Sequence, residues 1–540
     1  MTESQSLSSL LGKWQEAVIG TANGQPPLSQ LPNGVDYQIC NIVEHTADVI
    51  DGSLFVARVR TGTDGHPYIG KAIESGAKTI VGQRPIAELN CTIPPSVTYL
   101  QVNDSAEAMA WLSAAFFDFP GSKLRIIGIT GTNGKTTTSD ILFTILKSAG
   151  MRVGLISTIR AVFGETEEPT GLHVTTPGSF QLQGYLRRMV EAGLTHCIIE
   201  TTSHGLAQHR VTAIPFEFGL ITNITHEHID YHGSFENYLA AKLKLFEIVG
   251  EHPNGHAILN SDDDHFQQFA AITTPYQTTY GQRLNANGDR PDVYSQKVWL
   301  EMGPARFDLH LPHPNEPVRI NSHLLGPFNI SNMLCASATA YHLGVSAEEI
   351  AAGISSVSGI SGRMQSIDEG QPFKVIVDFA HTPDALENAI RASIALLDKE
   401  SPQPGKIIAV FGSAGKRDIE KRRLMAEVSA KWAQITVLTA EDPRTEPLED
   451  ILDMMAAGCR AQGAIEGIDF WRVPDRGQAI YMALTLASPF DIVLICGKGH
   501  EQSMCFGTTE YPWDDREATR TALKAFNNNR PMPTLGLPTF

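Results

Sequence analysis

The stretch GITGTNGKTTTSD, residues 128–140, contains residue types that bind polyphosphates. Gly131 and Gly134 would let the backbone pass close to phosphate oxygens, and successive N–H groups at a helix start would bind the anion. Lys135 would then neutralise the β- and γ-phosphates, and Thr136 would ligate Mg²⁺. The common pattern G-x-x-x-x-G-K-[ST] requires glycine where this chain has Ile129. The stretch therefore predicts a variant phosphate loop.

Three more residues are candidates for a metal site beside that loop. Glu200 ends the apolar run HCIIE, and His228 lies just beyond the run FGLITNI. A carboxylate and an imidazole at neighbouring strand ends can complete a divalent-metal site. Either residue alone would more often be structural, so the prediction depends on their combination. Lys242, in ENYLAAKLKLFE, has the periodicity of a surface lysine, but its small neighbours Ala240 and Ala241 would let it approach the site.

These residues require an α/β sheet to position them. KLRIIGIT reads as a buried parallel strand, and TSDILFTILKSAG reads as a helix that ends at Gly150. The loop lies between them, which is the strand–loop–helix context that phosphate binding requires. HCIIE (196–200) and FGLITNI (218–224) predict two more buried strands, and FQLQGYLRRMVEAG predicts a helix between strands. Alternating strands and helices indicate a mostly parallel sheet.

The flanking blocks are also α/β. The first contains the strand-like runs SLFVARV, KTIVG and VTYLQV and the helical stretch SAEAMAWLSAAFFD, and it ends at FPGSK. The last alternates FKVIVDFA, KIIAVFGS, ITVLTA and DIVLICGKGH with helical stretches, which is typical of a Rossmann-like domain. We therefore predict three domains, at 1–123, 124–359 and 360–540. The Pro-rich tail NNNRPMPTLGLPTF is expected to be loose.

Composition restricts the class of protein. The chain has 540 residues, 42% of them hydrophobic and 19% charged, so three packed domains are reasonable. The net charge of −17 argues against a nucleic-acid or anionic-membrane partner, since both require basic surfaces. The seven scattered cysteines form no C-x-x-C pair and indicate a reduced, cytoplasmic protein. No signal-peptide pattern and no membrane-length apolar run are present.

A series of longer motifs resembles the Mur ligases, most closely their UDP-N-acetylmuramoyl-tripeptide synthetase branch. The motifs, in family order, are GTNGKTTT, IIETTSHGLAQHR, TNITHEHIDYHGSFENYLAAK, GPFNISN, GRMQ, VDFAHTPDALE, EDPRTEP and GKGHE. The resemblance covers nearly the whole chain. It implies an ATP-dependent ligase that phosphorylates the free carboxylate of UDP-MurNAc-L-Ala-D-Glu. An amino group of a diamino acid then attacks the acyl phosphate, giving an amide, ADP and phosphate.

The resemblance also implies roles for the nucleotide and metal residues. Lys135, Glu200, His228 and Lys242 match catalytic positions. Thr136, Glu200 and His228 match metal ligands, as does Lys242 once CO₂ has converted its amine to a carbamate. The implied ATP-binding residues are Gly131, Thr132, Asn133, Gly134, Lys135, Thr136, Thr137, Asn329, Asn332, Arg363, Asp378 and His381. Arg363, Asp378 and His381 would reach the nucleotide when the third domain closes and excludes water.

The nucleotide-sugar end matches the family less completely. The implied substrate residues are Thr46, Thr175, Thr176, Thr202, Gln208 and Arg210. Val174 replaces the asparagine that often precedes T-T-P, and Thr202 replaces a usual serine but keeps its hydroxyl. The family's D-S-R motif of the uridine-binding domain corresponds here to His45, Thr46 and Ala47. Thr46 would supply the hydroxyl, but the arginine of that motif is missing.

The amino-acid end leaves the diamino acid open. The D-N-P-R motif of the meso-diaminopimelate enzymes appears as Glu441, Asp442, Pro443 and Arg444. Arg444 can form a bidentate pair with a carboxylate, and with Arg417, Gly497 and Glu501 it favours meso-diaminopimelate. Asp442 would instead suit the bare ammonium of L-lysine or L-ornithine. The stretch GKRD, which contains Arg417, also departs from the commoner G-D-R-D.

Two other interpretations remain. A folylpolyglutamate or cyanophycin-type synthetase would share the second and third domains, but the N-terminal block and SHGLAQHR argue against it. A non-catalytic relative would use the fold for binding only, since fold does not imply function. All five of Lys135, Thr136, Glu200, His228 and Lys242 are present, which favours an enzyme. We expect a cytoplasmic monomer.

Overall fold

A computed structural model describes residues 4–18, 36–60, 63–170, 175–225, 227–284, 288–299, 305–313, 316–397 and 404–539. These residues form a mixed α/β fold with large, mostly parallel sheets, as the sequence predicted. The three main sheets lie within residues 41–101, 125–321 and 365–496. Each range falls inside one predicted block, and the block boundaries themselves remain predictions.

The first sheet is parallel throughout, and its strands are Asn41–Val43, Ser53–Val56, Thr79–Gly82 and Thr98–Gln101. Its helices are Leu7–Val18, Ile69–Glu74 and Ser105–Phe116. The predicted strand SLFVARV is shorter than expected, because the chain turns after Val56. Ala57 still donates to the Val81 carbonyl, but Arg58 donates back to Val56. Val59–Arg60 then pairs in a separate hairpin with Thr63–Asp64.

The second sheet has eleven strands within the described residues. In spatial order they are Thr166–Glu168, Ala161–Phe163, Val153–Ile156, His196–Glu200, Arg125–Thr130, Phe216–Ile221, His256–Asn260, Tyr276–Gly281, Val293–Trp299, Arg306–His310 and Val318–Asn321. The seven from Val153–Ile156 to Val293–Trp299 are parallel, and the outer ones are antiparallel. The predicted strand 218–224 begins and ends earlier than expected, so Thr222–Ile224 form a loop beyond the sheet edge.

Two apolar layers cover this sheet. One contains Ile141, Ile145 and Met333 with the strand residue Ile127, and the other contains Leu186, Phe246 and their neighbours. The helices around the sheet are Lys135–Ser148, Ser179–Glu191, Ser203–Ala207, Ile229–His232, Phe235–Glu251, Phe266–Ala270, Phe328–His342 and Ala347–Ser356. Because seven strands run in one direction, the loops that follow them meet at one edge, where ligands bind in such sheets.

The third sheet has the spatial order Gln365–Ser366, Lys374–Asp378, Ile492–Cys496, Ile407–Phe411, Ile435–Leu438 and Phe470–Arg472. Its first strand is antiparallel and the other five are parallel, in agreement with the Rossmann-like prediction. Its helices are Pro383–Ala395, Glu420–Trp432, Leu448–Ala461, Arg476–Leu486 and Asp515–Asn527. Hairpins join Ser503–Phe506 to Thr509–Pro512 and Gln5–Ser6 to Gln38–Ile39.

The prediction of a loose C-terminal tail is wrong. Met532 and Leu537 are buried in the third sheet's apolar layer beside helix Arg476–Leu486. The Tyr481 hydroxyl donates to the Arg530 carbonyl at 2.8 Å, and the Thr539 hydroxyl donates to Asp475 at 2.7 Å. The prolines of the tail argue against helix or strand, which led to the prediction of a loose segment. The apolar residues between them are nevertheless buried against the third sheet's domain. In the ranges that the structure covers, no helix has the length and apolarity that a bilayer crossing requires.

Candidate active site

The loop that follows strand Arg125–Thr130 has a conformation that requires its two glycines. Gly134 has φ = 85° and precedes helix Lys135–Ser148, and a Cβ there would lie 2.4 Å from Asn332 Oδ1. Gly131 has φ = 142°, and a Cβ there would lie 1.9 Å from Thr222 Oγ1. The sequence suggested phosphate approach as the reason for these glycines. Close packing against Thr222 and Asn332 is a second, independent reason.

Lys135 and Thr136 begin the helix with their polar groups on the loop. Lys135 Nζ donates to the carbonyl oxygens of Gly131 and Thr132, both at 2.9 Å. Burial lowers the Lys135 pKa, while the carboxylates of Glu227 and Glu200 act in the opposite direction. The Thr136 hydroxyl donates to Glu200 Oε2 at 3.0 Å. Thr136 is thus hydrogen-bonded to Glu200, and the same carboxylate acts electrostatically on the Lys135 ammonium.

Glu200 ends its strand, as predicted, and is fully buried. Thr158 donates to both of its carboxylate oxygens, from the backbone N–H to Oε1 at 3.1 Å and from the hydroxyl to Oε2 at 2.9 Å. Burial raises the Glu200 pKa, and the Lys135 ammonium opposes that shift. The sequence reasoning missed Thr158. Its position two residues beyond strand Val153–Ile156, at the same sheet edge, could have identified it.

Lys242 is only 2% exposed, so the interpretation as a surface lysine from periodicity alone is wrong. Its Nζ donates to the Gly131 carbonyl at 2.7 Å and lies 4.8 Å from the centre of the Tyr238 ring. Burial, reinforced by the Lys135 ammonium, lowers the Lys242 pKa well below its ordinary value. Ala241 is also buried beside it, in accord with the small neighbours seen in the sequence. Lys242 thus lies directly behind the phosphate loop.

His228 lies seven positions after the end of strand Phe216–Ile221 and precedes helix Ile229–His232 with φ = 57°. Its ring stacks edge-on against His204, with centroids 4.6 Å apart. Burial and the ammonium groups of Lys242 and Lys135 lower the His228 pKa, which favours the neutral, metal-binding form of the ring. Glu200 and His228 therefore both lie at the loop edge of the sheet, as predicted.

Asn329 and Asn332 lie in the first turns of helix Phe328–His342, against the phosphate loop. Asn332 Nδ2 donates to Asn329 Oδ1 at 2.9 Å, and Asn332 Oδ1 accepts from the Thr138 hydroxyl at 3.3 Å. Asn329 in turn donates to the Leu325 carbonyl at 2.7 Å. These bonds hold both side chains beside Gly134, so the two predicted nucleotide residues reach the loop from a separate helix.

The third sheet brings three predicted residues to the same place. Arg363 Nη2 donates to Thr136 Oγ1 at 3.3 Å, and its guanidinium lies over the Phe379 ring at 4.4 Å. Asp378 is held by the backbone N–H groups of Met364 (2.6 Å) and Ala380 (2.8 Å). His381 Nδ1 hydrogen-bonds with the Phe379 carbonyl at 3.0 Å, and burial lowers the His381 pKa to about 3. His381 is accordingly neutral at physiological pH.

Thr176, Thr202, Gln208 and Arg210 form one hydrogen-bonded cluster. The Thr176 and Thr202 hydroxyls lie 3.0 Å apart, and Thr202 caps helix Ser203–Ala207. Arg210 donates to the Thr176 carbonyl at 2.6 Å and, through two nitrogens, to Gln208 Oε1. Thr175 adjoins this cluster and accepts from the Thr158 hydroxyl at 3.1 Å. Val174 lies outside the described residues.

The motif Glu441–Arg444 follows strand Ile435–Leu438. Asp442 Oδ1 accepts from Lys498 Nζ and from the Cys505 backbone N–H, both at 2.9 Å. Lys498 is fully buried and also pairs with Glu501. Arg444 donates one long bond, 3.4 Å, to the Gly415 carbonyl and has no ion pair within the described part of the chain. The extra acid of this motif is thus paired with a buried lysine that it shares with Glu501, which its position in the sequence did not reveal.

Glu441 is 6% exposed, and its Oε2 has no hydrogen-bond partner among the described residues. Burial raises the Glu441 pKa to about 7, and the Lys421 ammonium is the main opposing influence. Gly497 lies against this carboxylate, since a Cβ there would be 2.5 Å from Oε2. Lys421, in the first turn of helix Glu420–Trp432, also lowers the His381 and His228 pKa values. Sequence reasoning missed Lys421.

One cavity of about 1740 Å³ connects these groups. The predicted residues that line it are Thr132, Asn133, Gly134, Lys135, Thr136, Thr137, Thr175, Thr176, Thr202, Arg210, His228, Asn329, Asn332, Arg363, Asp378, His381, Arg417, Glu441, Asp442, Arg444, Gly497 and Glu501. Gly131, Glu200, Lys242, Gln208 and Pro443 lie outside this lining, and Thr46 begins a 3₁₀ turn (Thr46–Asp48) of the first sheet. The cavity extends from the phosphate loop to Arg444.

No group of three or more His, Cys, Asp or Glu side chains in the described ranges is arranged to hold a metal by itself. The oxygen donors present are Thr136 and Glu200, and the His228 ring lines the same cavity as Thr136. Mg²⁺ prefers this kind of site, since it takes one or two protein oxygens and completes its shell with phosphate and water. The donor set therefore fits Mg²⁺ bound together with a nucleotide.

Comparison with known proteins gives consistent matches. Family models described as Mur ligase middle domain and as Mur ligase, glutamate ligase domain match residues 129–340 and 362–499. The UDP-N-acetylmuramyl-tripeptide synthetase of Roseiflexus sp. (strain RS-1) is 38% identical over 91% of this chain and 95% of its own. The UDP-N-acetylmuramoyl-L-alanyl-D-glutamate--2,6-diaminopimelate ligase of Geobacillus kaustophilus (strain HTA426) is 37% identical over 92% and 98%.

A solved structure of a UDP-N-acetylmuramoyl-L-alanyl-D-glutamate--2,6-diaminopimelate ligase is also similar. It has a TM-score of 0.61 and 26% identity, and the match covers 98% of this chain and 100% of that one. The match therefore includes all three sheets, and the predicted three-part α/β architecture is confirmed.

Proposed function

The chain belongs to the Mur ligase family, and from this premise we propose that it adds a diamino acid to UDP-MurNAc-L-Ala-D-Glu at the expense of ATP. A carboxylate oxygen of the glutamyl residue attacks the γ-phosphorus, and ADP leaves. The amine of the diamino acid then attacks the acyl carbon and loses a proton, and phosphate leaves as the amide forms. The predicted domains 1–123, 124–359 and 360–540 bind, in order, the uridylyl group, ATP and the diamino acid.

One observation carries this proposal: a single cavity joins the phosphate loop to the Glu441–Arg444 motif. The reaction requires a γ-phosphate, a peptide carboxylate and an amine to meet without water, because an acyl phosphate hydrolyses. Arg363 spans the two sheets inside this cavity, since it extends from the third sheet to the hydroxyl of Thr136. A binding protein without catalysis has no need to connect these two ends.

Phosphoryl transfer depends mainly on positioning and on charge neutralisation. Lys135 would exchange its two carbonyl contacts for phosphate oxygens, while Arg363 supplies a second cation near Thr136. The implied adenine-side residues Asn329 and Asn332 are fixed beside the loop by their mutual hydrogen bond. Asp378 and His381 would contact the nucleotide from the third sheet, where His381 is neutral.

Mg²⁺ bound at this site would neutralise phosphate charge. Thr136, Glu200 and His228 are the residues that would hold it, on the donor chemistry described above. We further propose that Lys242 carries a CO₂-derived carbamate as a fourth metal ligand. Its support is the placement of Lys242, a buried lysine whose contacts among the described residues are a carbonyl and an aromatic ring rather than a carboxylate. An unmodified ammonium at that place would repel the metal ion.

The peptide and sugar of the substrate would bind along Thr175, Thr176, Thr202, Gln208 and Arg210. Their mutual hydrogen bonds fix Arg210 at the cavity wall, where it can pair with a substrate carboxylate. The uridylyl end would extend to the first sheet, where Thr46 is the implied hydroxyl.

For the amine substrate, the contacts of Asp442 favour meso-diaminopimelate. The Asp442 carboxylate pairs with the buried Lys498, which it shares with Glu501, so its attraction for a bare terminal ammonium is reduced. Arg444 lacks an ion pair among the described residues and is placed to bind the distal carboxylate of meso-diaminopimelate, with Arg417 nearby in the same lining. Glu441 and Glu501 would accept its ammonium groups. L-Lysine and L-ornithine lack that distal carboxylate and are the alternative substrates.

The test is phosphate release by the purified protein with Mg²⁺-ATP and UDP-MurNAc-L-Ala-D-Glu. Meso-diaminopimelate, L-lysine and L-ornithine are supplied separately, and products are identified by mass. Turnover with meso-diaminopimelate is expected, and turnover with lysine or ornithine alone would show that Arg444 does not read a carboxylate. Absence of turnover with all three would favour a non-catalytic binding protein. We propose a cytoplasmic monomer without nucleic-acid or membrane partners, which size-exclusion chromatography with light scattering would check.

A further inference from the structure

Three arginines lie near the contact between the first and second sheets, and two of them, Arg58 and Arg60, share one carboxylate. Arg58 Nη1 donates to Glu44 Oε2 at 2.8 Å, and Arg60 pairs with the same oxygen. The Arg58 side chain is only 4% exposed, whereas that of Arg60 is 31% exposed. Two guanidinium groups on one carboxylate oxygen leave an excess of positive charge, in a chain whose net charge is −17.

The third arginine connects this pair to the cavity. Arg58 Nη2 donates to the Gln208 carbonyl at 3.0 Å, and the Gln208 side chain accepts from Arg210. The contacts of Arg210 are otherwise to the Thr176 carbonyl, so its described partners are all uncharged. Arg210 lines the cavity. Arg58 is connected to it through Gln208, which both arginines contact. The positive charge is therefore continuous from the cavity wall to the first sheet.

Two further observations indicate an anionic ligand. Arg58 Nε is buried and has no hydrogen-bond partner among the described residues, although buried donors are normally paired. The other nearby carboxylate, Asp104, uses one oxygen to cap helix Ser105–Phe116. In support, burial lowers the pKa values of Arg58 and Arg210, and the neighbouring arginines contribute to both shifts. Among the described residues, Glu44 and Asp104 are the carboxylates that act on this cluster, so its three guanidinium groups outnumber their counter-charges.

The order of groups in the substrate gives that ligand an identity. In a UDP-linked sugar peptide the diphosphate separates the uridine from the sugar. If Arg210 and Thr176 contact the sugar and peptide while the first sheet holds the uridine, the diphosphate must lie between them. Arg58 and Arg60 occupy that junction. They follow GSLFVA directly, only 11 to 13 positions after Ala47, where the family's arginine is absent.

We propose that Arg58 and Arg60 bind the diphosphate of the nucleotide-sugar substrate and replace the missing D-S-R arginine. This inference rests on the proposed function, because it takes its ligand from that reaction. Arginine suits the task, since its planar fork pairs bidentately with phosphate oxygens. Glu44 would hold both guanidinium groups in position until the diphosphate provides stronger acceptors.

The test compares Arg60→Gln, Arg58→Gln and Glu44→Gln with the full-length wild-type chain. UDP and uridine binding are measured by calorimetry, and KM for UDP-MurNAc-L-Ala-D-Glu by phosphate release. Arg60→Gln and Arg58→Gln should each weaken UDP binding and raise that KM about tenfold, the usual effect of losing one hydrogen bond to a charged group. Uridine affinity, kcat and KM for ATP should be unchanged. Arg125→Gln is the matched control, since Arg125 pairs with Glu217 at the opposite edge of the second sheet.

The variant Glu44→Gln distinguishes a ligand-binding role of the arginines from a purely structural one. It keeps both arginines and removes their shared carboxylate, so UDP binding should be retained or strengthened. A purely structural cluster would instead be damaged equally by losing Glu44 or Arg58, and that result would overturn the proposal. So would unchanged UDP binding in Arg60→Gln. Arg60 is partly exposed, so this variant remains informative even if Arg58→Gln fails to fold.

The two proposals fail differently. A wild-type chain that binds UDP through these arginines but forms no amide would refute the proposed reaction alone. A chain that forms the amide while both arginine variants keep the wild-type KM would refute the diphosphate site alone. A wild-type chain that binds neither UDP nor the UDP-linked substrate would overturn both.

Discussion

Lys242 Nζ donates a 2.7 Å hydrogen bond to the Gly131 carbonyl, so helix Phe235–Glu251 is joined to the first glycine of the phosphate loop. The same carbonyl accepts from Lys135 at 2.9 Å. Two lysines thus converge on one carbonyl oxygen in a buried region. This arrangement disfavours two full positive charges and leaves Lys242 able to react as a neutral amine.

Replacing Lys242 by alanine should reduce kcat at least 100-fold, because the loop loses a buried contact and the metal loses a proposed ligand. Lys244→Ala, two residues along the same helix, is the control and should keep kcat within about twofold. If Lys242 carries a carbamate, removing CO₂ and bicarbonate should lower activity, bicarbonate should restore it, and ¹³C-labelled bicarbonate should give a carbamate NMR signal. Full activity of Lys242→Ala would exclude both roles.

Gly134 of the phosphate loop can be compared with Gly150, a second glycine with positive φ. Gly134 precedes helix Lys135–Ser148 and Gly150 follows it. Gly134→Ala combines φ = 85° with a Cβ contact of 2.4 Å to Asn332, whereas Gly150→Ala has φ = 78° and open space around it. Both should lose about 1 kcal/mol of stability from backbone strain, and Gly134→Ala should lose more because its Cβ also meets Asn332. Only Gly134→Ala should raise KM for ATP, by more than tenfold. Equal ATP kinetics in the two variants would show that the loop does not bind the nucleotide.

The buried pair of Asp442 and Lys498 predicts non-additive substitutions. Lys498→Met leaves Asp442 and Glu501 without their cation and should destabilise the protein by about 3 kcal/mol or more. It should also raise the relative activity with L-lysine, because Asp442 then carries an uncompensated charge. Asp442→Asn in the same chain should restore both stability and preference for meso-diaminopimelate. Denaturant unfolding and parallel turnover assays form the double-mutant cycle, and simple additivity would contradict the pairing.

Arg444 is the proposed reader of the distal carboxylate. Arg444→Lys keeps the charge but removes the bidentate fork, so KM for meso-diaminopimelate should rise at least tenfold while KM for ATP is unchanged. Arg460→Lys is a matched control, since Arg460 pairs with Glu466 on the exposed side of its helix. A uniform loss of activity with every substrate would instead indicate a structural role for Arg444.

Glu441 gives a pH dependence with a defined sign. Its pKa is raised from 4.5 in the unfolded chain to about 7 in the folded one, mainly by burial. The folded protein therefore binds this proton more tightly, and stability falls as pH rises from about 4.5 through 7, by roughly 3 kcal/mol at most. Glu441→Gln should flatten this part of the stability profile, measured by urea unfolding at several pH values. An unchanged slope would show that Glu441 does not titrate there.

Much of this fold was accessible from sequence because its strands are continuous apolar runs at parallel sheet positions. HCIIE ended at Glu200 as predicted, and the phosphate loop lay between its strand and helix. The prediction of a surface position for Lys242 failed because helical periodicity assigns lysines to the polar, exposed face. An individual lysine can instead be buried where polar groups of a site accept its hydrogen bonds. The prediction of a loose C-terminal tail failed for a related reason, because Met532 and Leu537 are buried although they lie outside helices and strands.

The parts of the site that one continuous segment supplies, such as the phosphate loop, could be predicted from the sequence. The parts that combine distant segments could not. Nothing near Asp442 in the sequence indicated that Lys498, 56 residues later, would neutralise it. The sequence likewise did not single out Arg58 and Arg60. Their approach to Arg210 depends on the contact between the first and second sheets, which the sequence does not specify. Motifs locate functional segments, and tertiary contacts decide the charge that each segment presents.

The most direct test of the proposed chemistry follows an oxygen atom. UDP-MurNAc-L-Ala-D-Glu labelled with ¹⁸O in the reacting carboxylate is incubated with the protein, Mg²⁺-ATP and meso-diaminopimelate. An acyl-phosphate route transfers one labelled oxygen from the carboxylate to each released phosphate, which mass spectrometry detects. Phosphate released together with the amide product but without ¹⁸O would contradict the account.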